Sequence, residues 1–213
     1  MTVRDLPVLD LSLLDGPDSV EILGRSVRHA LEEVGFFSIV NHGIPWGQVE
    51  AVYELSQRFH ALAFDVKVAC EMTSSQLGYS RLGNHSRNGQ VAVNEAFFMA
   101  HPRSRRTQWP PEDALPEFRA TASDYFAAMD QLGHRLLPLY AIALSLPLDY
   151  FDAFFTPAMS TLRLTHYPKV AVDASDAWGI DPHTDAGFLT MLPANPVAGL
   201  WINDPHGDWF EPH

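Results

Sequence analysis

The chain has 213 residues, 46% of them hydrophobic and 19% charged, enough for one sizeable domain or one domain with a helical extension. With 26 acidic against 14 basic residues the formal charge is -12, so the average surface repels nucleic acid and a small organic substrate is the better expectation. The opening MTVRDLPVLDLS lacks a secretory signal, and no stretch approaches the roughly 20 apolar residues of a spanning helix, so a soluble, cytoplasmic protein that enters no membrane is expected.

In chain order, the apolar run PVLDLSLL at 7–14 predicts a first strand, bounded by Pro7 and by Asp15, Gly16 and Pro17. A helix follows, with Asp18 as cap and Glu21 three residues on. Val20, Leu23, Val27, Leu31 and Val34 recur at helical spacing until Gly35 stops it. FFSIV at 36–40 predicts a buried strand, and Pro45 opens a second helix across Val49, Val52, Tyr53, Leu55 and Phe59. Residues 73–90, rich in Gly, Ser and Asn, predict a long loop of the functional or mobile kind. The lone Cys70 cannot form an internal disulfide and is expected to be a buried, inert thiol in a reducing compartment.

NEAFFMA at 94–100 has strand character, and a proline-punctuated link covers 102–116. From Glu117 the residues Phe118, Tyr125, Met129, Leu132, Leu136, Leu137 and Tyr140 describe a long amphipathic helix, kinked near Pro138. Short β-rich pieces then follow at 162–167, 179–184, 188–192, 200–203 and 209–210. Helices followed by closely spaced strands indicate an α+β protein, a helical half against a double-sheet jelly roll. A jelly roll takes about eight strands. The β half barely reaches that number, so a chain that stops before its core is complete is expected.

GIDPHTDAGFLT at 179–190 carries His183 and Asp185 two residues apart. On a strand both side chains point to one face. An imidazole and a carboxylate on one side leave room for a further histidine from a facing strand, completing the facial triad of non-haem iron(II) oxygenases.

The motifs extend well beyond that pair. PVLDLSLL at 7–14, GFFSIVNHGIP at 35–45, GYSRLG at 78–83, NEAFFM at 94–99, LRLTHYP at 162–168, HTDAGFLTML at 183–192 and GLWINDPHGDWFEP at 199–212 occur in this order. Together they resemble the isopenicillin N synthase-like branch of the iron(II)- and 2-oxoglutarate-dependent oxygenases. The resemblance implies an N-terminal helical region (1–115), long support helices (116–155) and the first part of a double-stranded β-helix (jelly roll) core (156–213), with the C-terminal strands of the core missing. It implies His183 and Asp185 as the first two iron ligands and Tyr167 as a hydrogen-bond partner of 2-oxoglutarate. Iron(II) is then the metal, with 2-oxoglutarate and dioxygen as co-substrates. A small organic substrate would be hydroxylated, desaturated or cyclised, with release of succinate and carbon dioxide, in a setting such as secondary metabolism.

The family's second histidine and the arginine and serine that bind the far carboxylate of 2-oxoglutarate lie further along than the 28 residues after Asp185 reach. Little turnover is therefore expected of these 213 residues alone. His206, in the turn NDPHGDW, and His213, the last residue, are poor replacements because a ligand needs a fixed, supported position. Arg163 shares a strand face with Tyr167 and is a candidate cavity residue, whereas His166 points to the opposite face. His42 is expected to cap a turn beside Gly43. His85, Arg81 and Arg87 are candidates for contact with a carboxylated substrate. Two alternatives stand beside the oxygenase: an inactive relative that works as a binding domain, self-associating through an incomplete sheet edge, and an oxidase of the isopenicillin N synthase type that does not use 2-oxoglutarate.

Overall fold

The computed structural model describes residues 2–16, 18–84, 92–101, 107–156, 160–169, 179–195 and 197–212. Its elements in chain order are β1 (Thr2–Arg4), β2 (Val8–Asp10), α1 (Ser19–Glu33), β3 (Ser38–Val40), α2 (Trp46–His60), α3 (Phe64–Val68), β4 (Gly78–Ser80), β5 (Glu95–Ala100), α4 (Phe118–Ala143), β6 (Thr161–His166), β7 (Ile202–Asn203) and β8 (Trp209–Pro212). The chain forms two compact units. One comprises Met1–Ile44, Gln131–Pro157 and Met191–His213, the other Pro45–Asp130 and Ala158–Thr190.

In the first unit β2 and β3 pair in parallel, joined by α1 as the crossover. The strand expected over 7–14 ends early, because Asp10 turns the chain. Its Oδ1 accepts from the Ser12 backbone N–H at 2.9 Å, the Ser12 hydroxyl at 2.7 Å and Asn41 Nδ2 at 2.8 Å, capping a 3-10 turn over Leu11–Asp15. Helix α1 buries Leu23, Val27 and Ala30, and Gly35 at φ 82° follows it, as the spacing requires. Asp18, however, does not cap the helix. It sits in the left-handed region with no capping bond, and Glu21 pairs with Arg25 one turn on instead of closing a capping box. The strand expected to be buried at 36–40 is also more open than its composition suggests, with Phe36 and Val40 exposed. His42 behaves as expected: its Nδ1 accepts the Ile44 N–H at 3.1 Å, and Gly43 takes φ 87°.

A second sheet of this unit has the order β1-β8-β7, parallel between β1 and β8 and antiparallel in the β7–β8 hairpin. Buried Asp204 organises the hairpin turn. Its Oδ1 accepts the N–H groups of His206 at 2.9 Å and Asp208 at 3.0 Å, and its Oδ2 accepts Arg4 Nη1 at 2.9 Å. Those backbone bonds, that of Asp208 first, hold its carboxyl below the usual carboxylate range. His206 is exposed in this turn, and His213 lies outside the described residues.

In the second unit the antiparallel sheet β4-β5-β6 lies over an aromatic cluster. Phe59 of α2 meets Phe97 at 5.1 Å and Phe118 at 5.0 Å between ring centroids, and Phe97 meets Phe118 edge-on at 4.9 Å. Phe59 has no accessible surface. Its truncation to alanine is expected to cost about 3–5 kcal/mol, read as a lower urea midpoint with an unchanged slope. The stretch 73–90 is not uniformly loop, because β4 lies within it; residues 85–91 are outside the described set, and His85 and Arg87 with them. Helix α4 runs through Pro138 as one helix.

Cys70 is buried, as expected, and its thiol donates to the Lys67 carbonyl at 3.1 Å. Burial pushes it up to about 11. No described helix is long and apolar enough to cross a membrane.

Candidate metal and co-substrate site

Alternation along β5 and β6 separates two chemistries. Glu95, Phe97 and Met99, with Leu164 and His166 across from them, face the aromatic cluster. Asn94, Ala96 and Phe98, with Arg163 and Thr165 opposite, face the other way. His166 therefore points away from Tyr167, as the sequence order requires.

The reverse face holds a buried polar network. Lys67 Nζ donates to Glu95 Oε2 at 2.9 Å, to Glu95 Oε1 at 3.2 Å and to the His60 carbonyl at 3.0 Å. The Tyr79 hydroxyl donates to Glu95 Oε2, and His166 Nδ1 reaches Glu95 Oε1 at 3.0 Å. Burial alone raises the Glu95 carboxyl, but the bonds from Tyr79, His166 and Lys67, with the Lys67 charge, outweigh it and hold the group at about 2. His60, its ring 5.2 Å from that of His166 and tilted against it by 37°, is pushed down to about 4 by burial.

On the front face the guanidinium of Arg163 lies 5.2 Å from the centre of the Phe98 ring and donates through Nη2 to Asn94 Oδ1 at 3.0 Å. Burial lowers it from the ordinary arginine range, while Tyr167 and Asp185 pull in the opposite direction. Asn94, fully buried, donates its Nδ2 to the Gly179 carbonyl at 2.6 Å. Gly179 in turn lies flat against the Tyr167 ring: a Cβ there would come within 2.6 Å of Tyr167 Cδ1 and 2.9 Å of Cε1. Gly179→Ala is thus expected to displace the ring or the segment, costing about 1–3 kcal/mol of stability in a denaturation midpoint.

From Gly179 the chain reaches the two candidate ligands. Residues 179–192 are not strand, contrary to the expectation for 179–184 and 188–192. Pro182 lacks the N–H a ladder needs, and no described strand is paired with this stretch. The pair converges all the same. His183 Nε2 lies 3.2 Å from Asp185 Oδ1, and His183 Nδ1 lies 2.7 Å from the Asp181 carbonyl. That carbonyl can only accept, so the proton sits on Nδ1. Nε2 is left to face Asp185. Two ligand atoms each about 2.1 Å from a metal and at right angles are roughly 3 Å apart, so the observed separation suits adjacent coordination positions. Both side chains are open to solvent, His183 at 33% and Asp185 at 50% exposure.

Of the residues singled out from sequence, His183, Asp185, Tyr167 and Arg163 fall in one unit, on or beside one face of β6. Arg81 is taken up elsewhere, forked onto Glu71 with Nη2 at 2.7 Å from Oε2. Among the described residues no group of three His, Cys, Asp or Glu side chains gathers to hold a metal. Asn94 and Gly179 were not anticipated. Period-two alternation in NEAFFM puts Asn94 on the face of Phe98, but only the Phe98–Arg163 register brings that face to the site.

The non-haem dioxygenase N-terminal family of morphine synthesis matches residues 6–116, more than half of the chain. The chain is 31% identical to the 2-oxoglutarate-dependent dioxygenase frbJ of Dothideomycetidae sp. (strain 11243), covering 99% of this chain and 62% of the relative. It is 31% identical to the 2-oxoglutarate-Fe(II) type oxidoreductase hxnY of Emericella nidulans, covering 96% and 65%. It thus spans somewhat under two thirds of the length of these curated relatives. A full-length Neurospora crassa protein crystallised in complex with alpha-KG superposes with a TM-score of 0.88 at 24% identity, over 97% of this chain and 69% of that one. That likeness gives the fold, α+β with a helical region on a jelly-roll core. The chain belongs to the non-haem, 2-oxoglutarate-dependent dioxygenases.

Proposed function

We propose that this chain carries the first two ligands and one co-substrate contact of an oxygenase that uses iron(II), 2-oxoglutarate and dioxygen to oxidise a small organic substrate in the cytoplasm. The observation that supports it is the 3.2 Å approach of His183 Nε2 to Asp185 Oδ1, with the imidazole proton held on Nδ1 by the Asp181 carbonyl. His183 and Asp185 are the residues that would hold the metal. Iron(II) bound there would supply the redox chemistry coupling oxidative decarboxylation of 2-oxoglutarate to oxidation of an unactivated carbon.

The chain's own residues have definable parts. His183 offers Nε2 on a ring whose Nδ1 is tied to the Asp181 carbonyl, and Asp185 a carboxylate that offsets cationic charge. Tyr167, its ring seated on Gly179, offers a hydroxyl for an anionic co-substrate, and Arg163 gives this face a positive charge in an otherwise acidic protein.

Anaerobic calorimetry with iron(II), followed by 2-oxoglutarate, tests this reading. The metal is expected to bind first, and 2-oxoglutarate to bind only the loaded protein. Failure to bind metal would favour the non-catalytic interaction domain.

A further inference from the structure

Asn94 is chemically specified by its two partners. The Arg163 guanidinium can only donate, and the Gly179 carbonyl can only accept. A side chain that meets both from one buried position must present an acceptor and a donor side by side, which a primary amide does without carrying charge. Asn94 has no accessible surface, accepts from Arg163 Nη2 at 3.0 Å and donates to the Gly179 carbonyl at 2.6 Å. Its two bonds connect residues 69 and 85 positions away in sequence. Gly179 is the described residue at which the chain enters the segment of His183 and Asp185, and it is fixed on its other side by the Tyr167 ring.

That segment has no strand ladder, and its residues from 182 to 188 are exposed. Nothing in its own secondary structure therefore holds His183 and Asp185 at a fixed separation from β6. A ligand set held loosely binds metal weakly, because ordering must be completed on binding. We propose that Asn94 is a positioning residue for the metal site: it ties the start of the ligand-bearing segment to the front face of the sheet, so that His183 and Asp185 are ordered before metal arrives. This rests on the assignment of those two residues as ligands. It adds a residue at the entrance to β5, distant in sequence from the ligands, on which their affinity depends.

The test uses two readouts, one without metal. In the metal-free protein, 15N relaxation gives backbone order parameters for Thr184 to Gly187. Mn(II), followed by its free-ion electron paramagnetic resonance signal, gives metal affinity. Asn94→Ala loses both bonds, and Asn94→Asp keeps an acceptor for Arg163 but sets a carboxylate oxygen against the Gly179 carbonyl. Both variants are expected to lower the order parameters of the segment from the rigid range near about 0.85 to below about 0.6, and to weaken Mn(II) about tenfold. Met99→Ala, a fully buried change on the other face of β5, the strand that Asn94 leads into, controls for general loss of stability and is expected to leave both readouts at wild-type values. Unchanged order parameters in both Asn94 variants, or equal losses in Met99→Ala, overturn the proposal. His183→Ala separates it from the reading beneath it: undiminished Mn(II) binding by that variant removes the ligand assignment, while the order parameters still decide whether Asn94 orders the segment.

Discussion

Replacing His183 by alanine is expected to weaken iron(II) or Mn(II) binding by at least about 100-fold, because changes around a ligand already cost 10- to 100-fold and this one removes the donor atom itself. Asp185→Ala is expected to do the same by removing the carboxylate that lies 3.2 Å from Nε2. Neither change should move the thermal midpoint of the metal-free protein much, since both side chains are exposed and substitutions at such positions stay within about 0.5 kcal/mol. Retained fold with lost metal identifies ligands. Loss of both together would instead mark the pair as structural.

A loss of stability as large as that at Phe59 is expected at Glu95, on the opposite face of the same sheet. Glu95→Gln keeps the volume but removes the counter-charge of Lys67, which is only 8% exposed, and leaving one member of a buried ion pair alone costs about 3–5 kcal/mol. Against a total of about 5–15 kcal/mol for an ordinary domain, that is severe, and urea titration reads it directly. The native carboxyl lies at about 2, below the usual 4.5, because the Tyr79, His166 and Lys67 interactions outweigh burial. A carboxylate lowered in the folded state contributes stability that is fully present above its unfolded value and is lost as pH falls through the folded one. The wild type should therefore lose this contribution between about pH 5 and pH 2, and the glutamine variant should lack this group's share of that slope.

What the sequence made legible depended on how local the cause was. Helix α2 was readable because Val49, Val52, Leu55 and Phe59 repeat with the helical period and meet a core on that one face. The early end of β2 was not, because Asp10 takes its third hydrogen bond from Asn41, a residue 31 positions away. His183 and Asp185 were readable as a pair by their spacing and by family motifs. No strand aligns them: convergence comes instead from a bend in which the Asp181 carbonyl fixes the ring. The Glu95 network and the Asn94 tether were out of reach of local patterns, since each depends on the register of β5 against β6. That register is set by chain segments some seventy residues apart.

The central claim is that a metal binds between His183 and Asp185. Paramagnetic broadening locates a bound ion without assuming its ligands. With a small fraction of an equivalent of Mn(II) added to 15N-labelled protein, the first amide signals to disappear should be those of residues 181 and 183–187, followed by those of β6 near Arg163. Broadening centred on any other segment, or none beyond that caused by free Mn(II), would contradict the account.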